Sequence, residues 1–400
     1  MNSKLAIITK DKTLLEILNR CVEGKPISKE NALYILDSKE KQDILKISSY
    51  LKNLYKNKTI TYSRKIFINI TNLCRDFCSY CTYRKNPYEN GMVMMKPDEV
   101  IRLSEIGRKY KCTEALIVAG ERPEEKYNEA KQWLNSLDYK SLAEYVSDIS
   151  ETIVKKTGLI PHSNIGNLDK NEMKSLKEYN ISLGIMLESS SERLQQNGMP
   201  HEYAPSKNPK KRIKTIENAG QLNIPLTTGL LIGIGETKEE IIDSIYLLNE
   251  INNKYGNLQE IILQNFKPHV NTKMQDYKSP SQDYFLKIVA LTRLIMPRMN
   301  IQIPPNLNLN TYGSFIDSGI NDWGGISPVT RDYVNPEFSW PLIKDLSIIT
   351  RKKGNILRAR LPIYPEFLND KKQYVSSNLF DYYKDLIDDT GLIREEYLKN

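Results

Sequence analysis

From residue 65 onward, short apolar runs alternate with amphipathic stretches. This alternation limits the fold more than any other feature of the chain. The runs are KIFINIT (65–71), EALIVAG (114–120), LIPHSNI (159–165), ISLGIML (181–187), PLTTGLLIGI (225–234), LQEIILQNF (258–266), NIQIPPNL (300–307) and INDWGGI (320–326). Between them lie stretches such as PDEVIRLSEIGRKY, KSLAEYVSDISETIVKK and DYFLKIVALTRLI, with apolar residues at helical spacing. Strand alternating with helix predicts a parallel sheet, because every crossover must carry the chain back over one face. Eight such strands over about 260 residues match the span of an α/β protein of the (β/α)8 TIM-barrel type, typically ~250 residues.

Residues 1–60 precede the alternation and read as helices, as in TLLEILNRCVEG and ENALYILDS. The expected organisation is an N-terminal helical segment (1–60), a barrel (61–340) and a C-terminal helical extension (341–400) packed on the barrel. Helix-to-strand connections are short, as in KCT, TG, EYN and LNI. Four strand-to-helix connections are long: 73–95, 121–138, 188–209 and 267–282. All four leave the C-terminal ends of strands, the face where barrel enzymes build their sites. The third, ESSSERLQQNGMPHEYAPSKNP, is polar and broken by Gly198, Pro200, Pro205 and Pro209. It is expected to lack a core of its own and to serve as part of a lid.

Several function classes fall away. The formal charge of +8 is spread over lysines interleaved with acids, the pattern of a solvated surface rather than of a nucleic-acid stripe. No apolar run approaches the ~20 residues of a membrane span. The start, MNSKLAIITKDKTLLEILNR, has an early lysine and no small-residue cleavage site, so no secretory signal is expected. Five cysteines, three of them clustered, do not form a disulfide framework. The expectation is a cytoplasmic protein with reduced thiols and a small-molecule substrate.

The first long loop contains CRDFCSYC, which spaces Cys74, Cys78 and Cys81 as C-x3-C-x2-C. A structural zinc site wants four ligands, usually as two separated pairs, and no second pair exists; His162, His201 and His269 are isolated. A fully ligated electron-transfer cluster also wants four cysteines, whereas Cys21 and Cys112 stand alone and read as buried small hydrophobes. The third reading is a 4Fe-4S cluster with one iron left open, as a catalytic metal requires.

The cysteine spacing after a first barrel strand resembles the radical S-adenosylmethionine (SAM) superfamily. In that family SAM chelates the open iron and yields a 5′-deoxyadenosyl radical, so no side chain is singled out as catalytic. The resemblance places Tyr80 beside the third cysteine. In AGERPEE Gly120 would allow close backbone approach to the ligand and Glu121 would meet the SAM amino group, while Glu188 in MLESS would hold the ribose. Arg212 would pair with the SAM carboxylate, and Gly233 and Glu236 in GLLIGIGET would approach the adenine.

Between about residues 60 and 340 the chain also resembles the CofG family, a subunit of deazaflavin (FO) synthase. The resemblance rests on TYSRKIFINITNLCRDFCSYCTYRKNP, CTEALIVAGERPEEKY, GLIPHSNIGNL, QEIILQNFKP, IQIPPNL and DWGGISPVTRDYVNPE. It implies a carbon–nitrogen lyase. The substrate would be 5-amino-5-(4-hydroxybenzyl)-6-(D-ribitylimino)-5,6-dihydrouracil and the products 7,8-didemethyl-8-hydroxy-5-deazariboflavin and ammonia. The cofactors would be one 4Fe-4S cluster and SAM. The partner enzyme CofH would supply the substrate, and an electron donor the electron. Ser163, Asn164, Gln264, Asn265, Asn306 and Asp322 carry polar groups at strand ends and are candidates to hold the substrate, with His162 behind them. Two other readings stay open: a menaquinone-branch or biotin-synthase-like radical SAM enzyme, and a non-catalytic iron–sulfur carrier, which would need a fourth ligand.

Overall fold

Three helices open the chain in the computed structural model, which describes residues 7–368 and 373–399. They are α1 (Lys12–Val22), α2 (Lys29–Asp37) and α3 (Lys41–Lys56). The first six residues of the expected helical segment lie outside the described range. Asp11 and Ser28 cap α1 and α2 by accepting the Leu14 and Asn31 N–H groups. Each helix buries one stripe, such as Ile44, Ile47 and Leu51 on α3.

The alternating part follows as β1 (Thr59–Thr71), α4 (Pro97–Lys109), β2 (Glu114–Ala119), α5 (Asn128–Asn135), α6 (Leu142–Thr157), β3 (Ile160–Asn164), α7 (Lys170–Lys177) and β4 (Ser182–Gly184). It continues with α8 (Pro209–Gln221), β5 (Leu226–Ile232), α9 (Lys238–Tyr255), β6 (Leu258–Asn265), α10 (Gln282–Ile295), β7 (Ile301–Gln302), α11 (Ser314–Asp317) and β8 (Asp322–Ile326). All eight apolar runs contain a strand. The strands pair in parallel in chain order, and β1 bonds both β8 and β2, which closes the ring. The fold is the expected (β/α)8 barrel, with α3 laid against α10 on its outside. β7 has only two residues because Pro304 and Pro305, which lack N–H donors, end the ladder. No helix among the described residues is long and apolar enough to cross a membrane.

The segment after the barrel is not wholly helical. After α12 (Ile343–Lys352) comes a ninth strand, β9 (Ile356–Arg360). β1 is 13 residues long. Its upper part, from Lys65, pairs with β2, and Thr59–Ser63 pairs in parallel with β9 along the edge beneath. Arg360 thereby reaches under the barrel floor, where its guanidinium lies 2.7 Å from Asp322 and 3.3 Å from Glu260. Tyr364 donates to the same Glu260 carboxylate at 2.8 Å, and Thr227 donates to its other oxygen, also at 2.8 Å. Buried charges persist when paired and hydrogen-bonded in this way.

Candidate active site

The loop that leaves β1 is fastened by its backbone to two neighbours. Arg75 N donates to Glu121 O at 2.8 Å, Phe77 N to Tyr203 O at 2.8 Å and Ser79 N to Pro200 O at 2.9 Å. Glu121 N donates to the Cys74 sulfur at 3.2 Å. Gly120 makes this contact possible: a Cβ there would lie 2.0 Å from the Leu73 carbonyl oxygen. Its close approach is to the cysteine loop. Cys74, Cys78 and Cys81 are free and half-buried, whereas Cys21 and Cys112 are buried elsewhere. Burial pushes the Cys74 thiol up to about 12 and the Cys78 thiol well above its ordinary value.

Below the loop the barrel encloses a cavity of about 250 Å³. Tyr80, Cys81 and Glu188 line its mouth; Phe67, Val118, Met186 and Leu231 line its walls. The Tyr80 hydroxyl bonds His201 Nε2 at 2.9 Å, and burial holds His201 well below its usual pKa. Glu188 adopts a left-handed backbone (φ 64°) and pairs with Lys207 at 2.5 Å. Arg212 is buried, although it belongs to a lysine/arginine run. Lys210 and Lys211 point to solvent while the helical turn of α8 carries Arg212 inward. Its guanidinium donates to Met186 O (2.7 Å) and Ser206 O (3.1 Å) and lies 3.7 Å from the Glu121 carboxylate. Glu121 also accepts from Asn167 N at 3.1 Å, and burial raises its pKa. The Glu236 carboxylate turns back to accept from Gly233 N (2.5 Å) and Ile234 N (2.9 Å), holding the turn after β5.

Of the polar residues expected to face the substrate, Asn164 and Gln264 line the cavity. The other four are engaged elsewhere. Ser163 donates to Asn180 (2.7 Å), and Asn265 and Asn308 exchange hydrogen bonds (2.9 and 3.1 Å). Asn306 donates to Asp332 (2.9 Å), and Asp322 takes Arg360. His162 bonds Ser182 at 2.6 Å, and burial lowers its pKa to about 3, so the imidazole is neutral. Lys65, Gln302, His269 and Asp332 also line the cavity and escaped the sequence reading. The signal for Lys65 was its position two residues before Phe67, on the same face of β1.

Residues 68–248 match the radical SAM superfamily. Solved structures share the fold at low identity. The FeFe-hydrogenase maturase HydG from Carboxydothermus hydrogenoformans superposes with a TM-score of 0.71 at 19% identity, over 96% of this chain and 87% of that one. Methylornithine synthase (PylB) gives 0.66 at 16% identity, over 85% and 97%. A cysteine loop above a closed (β/α)8 barrel, in a chain with these matches, defines a radical SAM enzyme. The 7,8-didemethyl-8-hydroxy-5-deazariboflavin synthase of Methanocaldococcus jannaschii is 45% identical over 345 residues, 86% of this chain and 95% of that protein. Its namesake from Methanopyrus kandleri is 43% identical over 84% of this chain and 100% of that protein. The chain belongs to the 7,8-didemethyl-8-hydroxy-5-deazariboflavin synthase family.

Proposed function

We propose that this chain performs its family's reaction, converting 5-amino-5-(4-hydroxybenzyl)-6-(D-ribitylimino)-5,6-dihydrouracil to the deazaflavin with release of ammonia. The observation that carries this reading is 45% identity running over 95% of a synthase's length, in a chain whose cysteine loop opens onto the barrel cavity.

Membership in the superfamily implies a 4Fe-4S cluster and SAM, and the residues present fit both. Cys74, Cys78 and Cys81 are the proposed ligands; they offer three free thiols on one loop, and a backbone N–H already reaches one sulfur. Among the described residues no three His, Cys, Asp or Glu side chains converge as a single ion would need. A cluster takes one thiolate per iron and needs no such convergence. When bound, cluster and SAM supply the radical that abstracts hydrogen from the adduct. Tyr80 and Glu188 stand at the mouth to receive SAM. Behind them Glu121 and Arg212 set the charge, and Gly120, Gly233 and Glu236 shape the backbone around it. The apolar walls exclude water, and Asn164 and Gln264 offer hydrogen bonds to the ribityl chain and ring. CofH supplies the adduct, and a separate reductant delivers the electron.

The test is anaerobic reconstitution followed by dithionite, SAM and the adduct. Fluorescent deazaflavin and ammonia are expected in equal amounts. SAM cleavage without deazaflavin, by enzyme of full iron content, overturns the substrate assignment.

A further inference from the structure

We propose that Lys65 and Gln302 form the donor set that holds the pyrimidinedione ring of the adduct in the barrel cavity, and that Gly324 and Gly325 exist to admit these two side chains. This rests on the deazaflavin synthase reading of the site.

Lys65 lies in the middle of β1, 7% exposed, and lines the cavity. Its ammonium sits 4.5 Å from the centre of the Trp340 ring and 5.1 Å from that of Phe67. No described residue accepts a hydrogen bond from it. Lys52 bonds Asn355, Lys56 bonds Glu366 at 2.9 Å and Lys207 bonds Glu188, whereas Lys267, half-buried on the same cavity, also finds no acceptor among the described residues. A buried ammonium with three unused donors is costly unless something fills the space before it. Burial lowers its pKa, with Arg360 adding to that, and Glu114, Asp332 and Glu260 offset only part of the shift. Each already has donors of its own: Ser63 for Glu114, the Val334 and Asn335 N–H groups for Asp332, and Thr227, Tyr364 and Arg360 for Glu260. They attract the amine without taking its protons, which are left to the cavity.

The double glycine of DWGGI is explained by the same two side chains. A Cβ on Gly325 would lie 2.3 Å from Lys65 Cδ and 2.9 Å from its Nζ. A Cβ on Gly324, whose φ is +73°, would lie 2.1 Å from Gln302 Nε2. Gln302 lines the same cavity, and no described residue bonds its amide. Adjacent glycines thus each clear space for one polar group aimed at one void. The acceptor–donor–acceptor edge of a pyrimidinedione matches them: the ammonium takes one carbonyl, and the amide takes the ring N–H and the second carbonyl. The flat faces of Phe67 and Trp340 suit a planar ring.

The experiment first follows wild-type conversion of the adduct; failure there removes the functional reading, whatever Lys65 does. Lys65→Met, Gln302→Leu and Gly325→Ala are then compared in reconstituted full-length enzyme, with iron content and circular dichroism reporting folding. KM for the adduct is expected to rise ~10- to 100-fold, the range for a lost charge-assisted hydrogen bond. More 5′-deoxyadenosine should form per deazaflavin, because a loosely held ring is missed by the radical. Gly325→Ala keeps the amine but displaces it, so it decides the matter if Lys65→Met fails to fold. A KM and product ratio within twofold of wild type, in any folded variant of Lys65 or Gly325, overturns the proposal.

Discussion

Cys21 on α1 is 3% exposed and Cys112, just before β2, is fully buried; burial pushes both thiols up to about 12. Neither is near the β1 loop, so Cys21→Ala and Cys112→Ala are expected to retain the iron content of the wild type. Loss of iron in either one, by colorimetric assay, would reveal a fourth ligand. Glu121→Gln keeps the size of the side chain facing Asn167 but discards the charge facing Arg212. It should weaken SAM binding by about 1.5–3 kcal/mol while the cluster survives; equilibrium dialysis showing unchanged affinity would remove Glu121 from the pocket. The cysteine spacing, the glycine at 120 and the glycine-rich end of β5 were legible because each is a local pattern. Which polar residues face the cavity was not. Ser163 and Asn164 are adjacent on β3, as are Gln264 and Asn265 on β6, so alternation allows only one of each pair to face the barrel axis. Register irregularities, such as that between Leu226 and Thr227, blur which one.

The loop at 188–209 shows what a polar, proline-broken sequence can conceal. It carries short turns at Glu192–Gln195 and Pro205–Lys207, and it buries Leu194 against Leu231, Ile234, Phe266 and Met274. Its carbonyls at Pro200 and Tyr203 hold the cysteine loop, and Arg193 pairs with Glu240 at 2.7 Å. As expected it has no core of its own: Leu194 docks into a cluster supplied by β5 and the segments that follow β5 and β6. The His201 and Ala204 amides, bonded to Leu194 O and His201 O, are therefore expected to exchange slowly with solvent even without SAM. Fast exchange that slows on adding SAM and adduct would instead show the lid expected from the sequence. β9 was equally hidden, because ILRAR is short and charged, and only the free lower edge of β1 gives it a place. Arg360→Met leaves Asp322 and Glu260 buried without their cation and should cost about 3–5 kcal/mol in urea unfolding. Adding Asp322→Asn should restore part of that loss; full additivity would mean that the pair is not coupled.

The two ends of the chain meet at Lys52 on α3, whose ammonium bonds Asn355 just before β9. Burial, reinforced by Arg293, lowers its pKa from 10.5 to about 7. Between these values the unfolded chain binds the extra proton, so this residue's contribution to stability rises with pH. Below about 7 both states are protonated, and the full penalty of the buried charge remains. Urea midpoints should therefore climb more steeply from pH 7 to pH 9.5 in the wild type than in Lys52→Met, by on the order of a few kcal/mol in all. Parallel curves for the two proteins would show an unshifted lysine.

The length of β1 has a further consequence in the living cell. Its lower half is among the first barrel residues to leave the ribosome, yet its partner Ile356–Arg360 is made about 300 residues later. At ~5–20 residues per second, translation separates the two by roughly 15–60 s. Over that interval the nascent chain displays an unpaired strand edge, an invitation to pair with a neighbouring polypeptide. A slowly translated message prolongs that exposure in direct proportion.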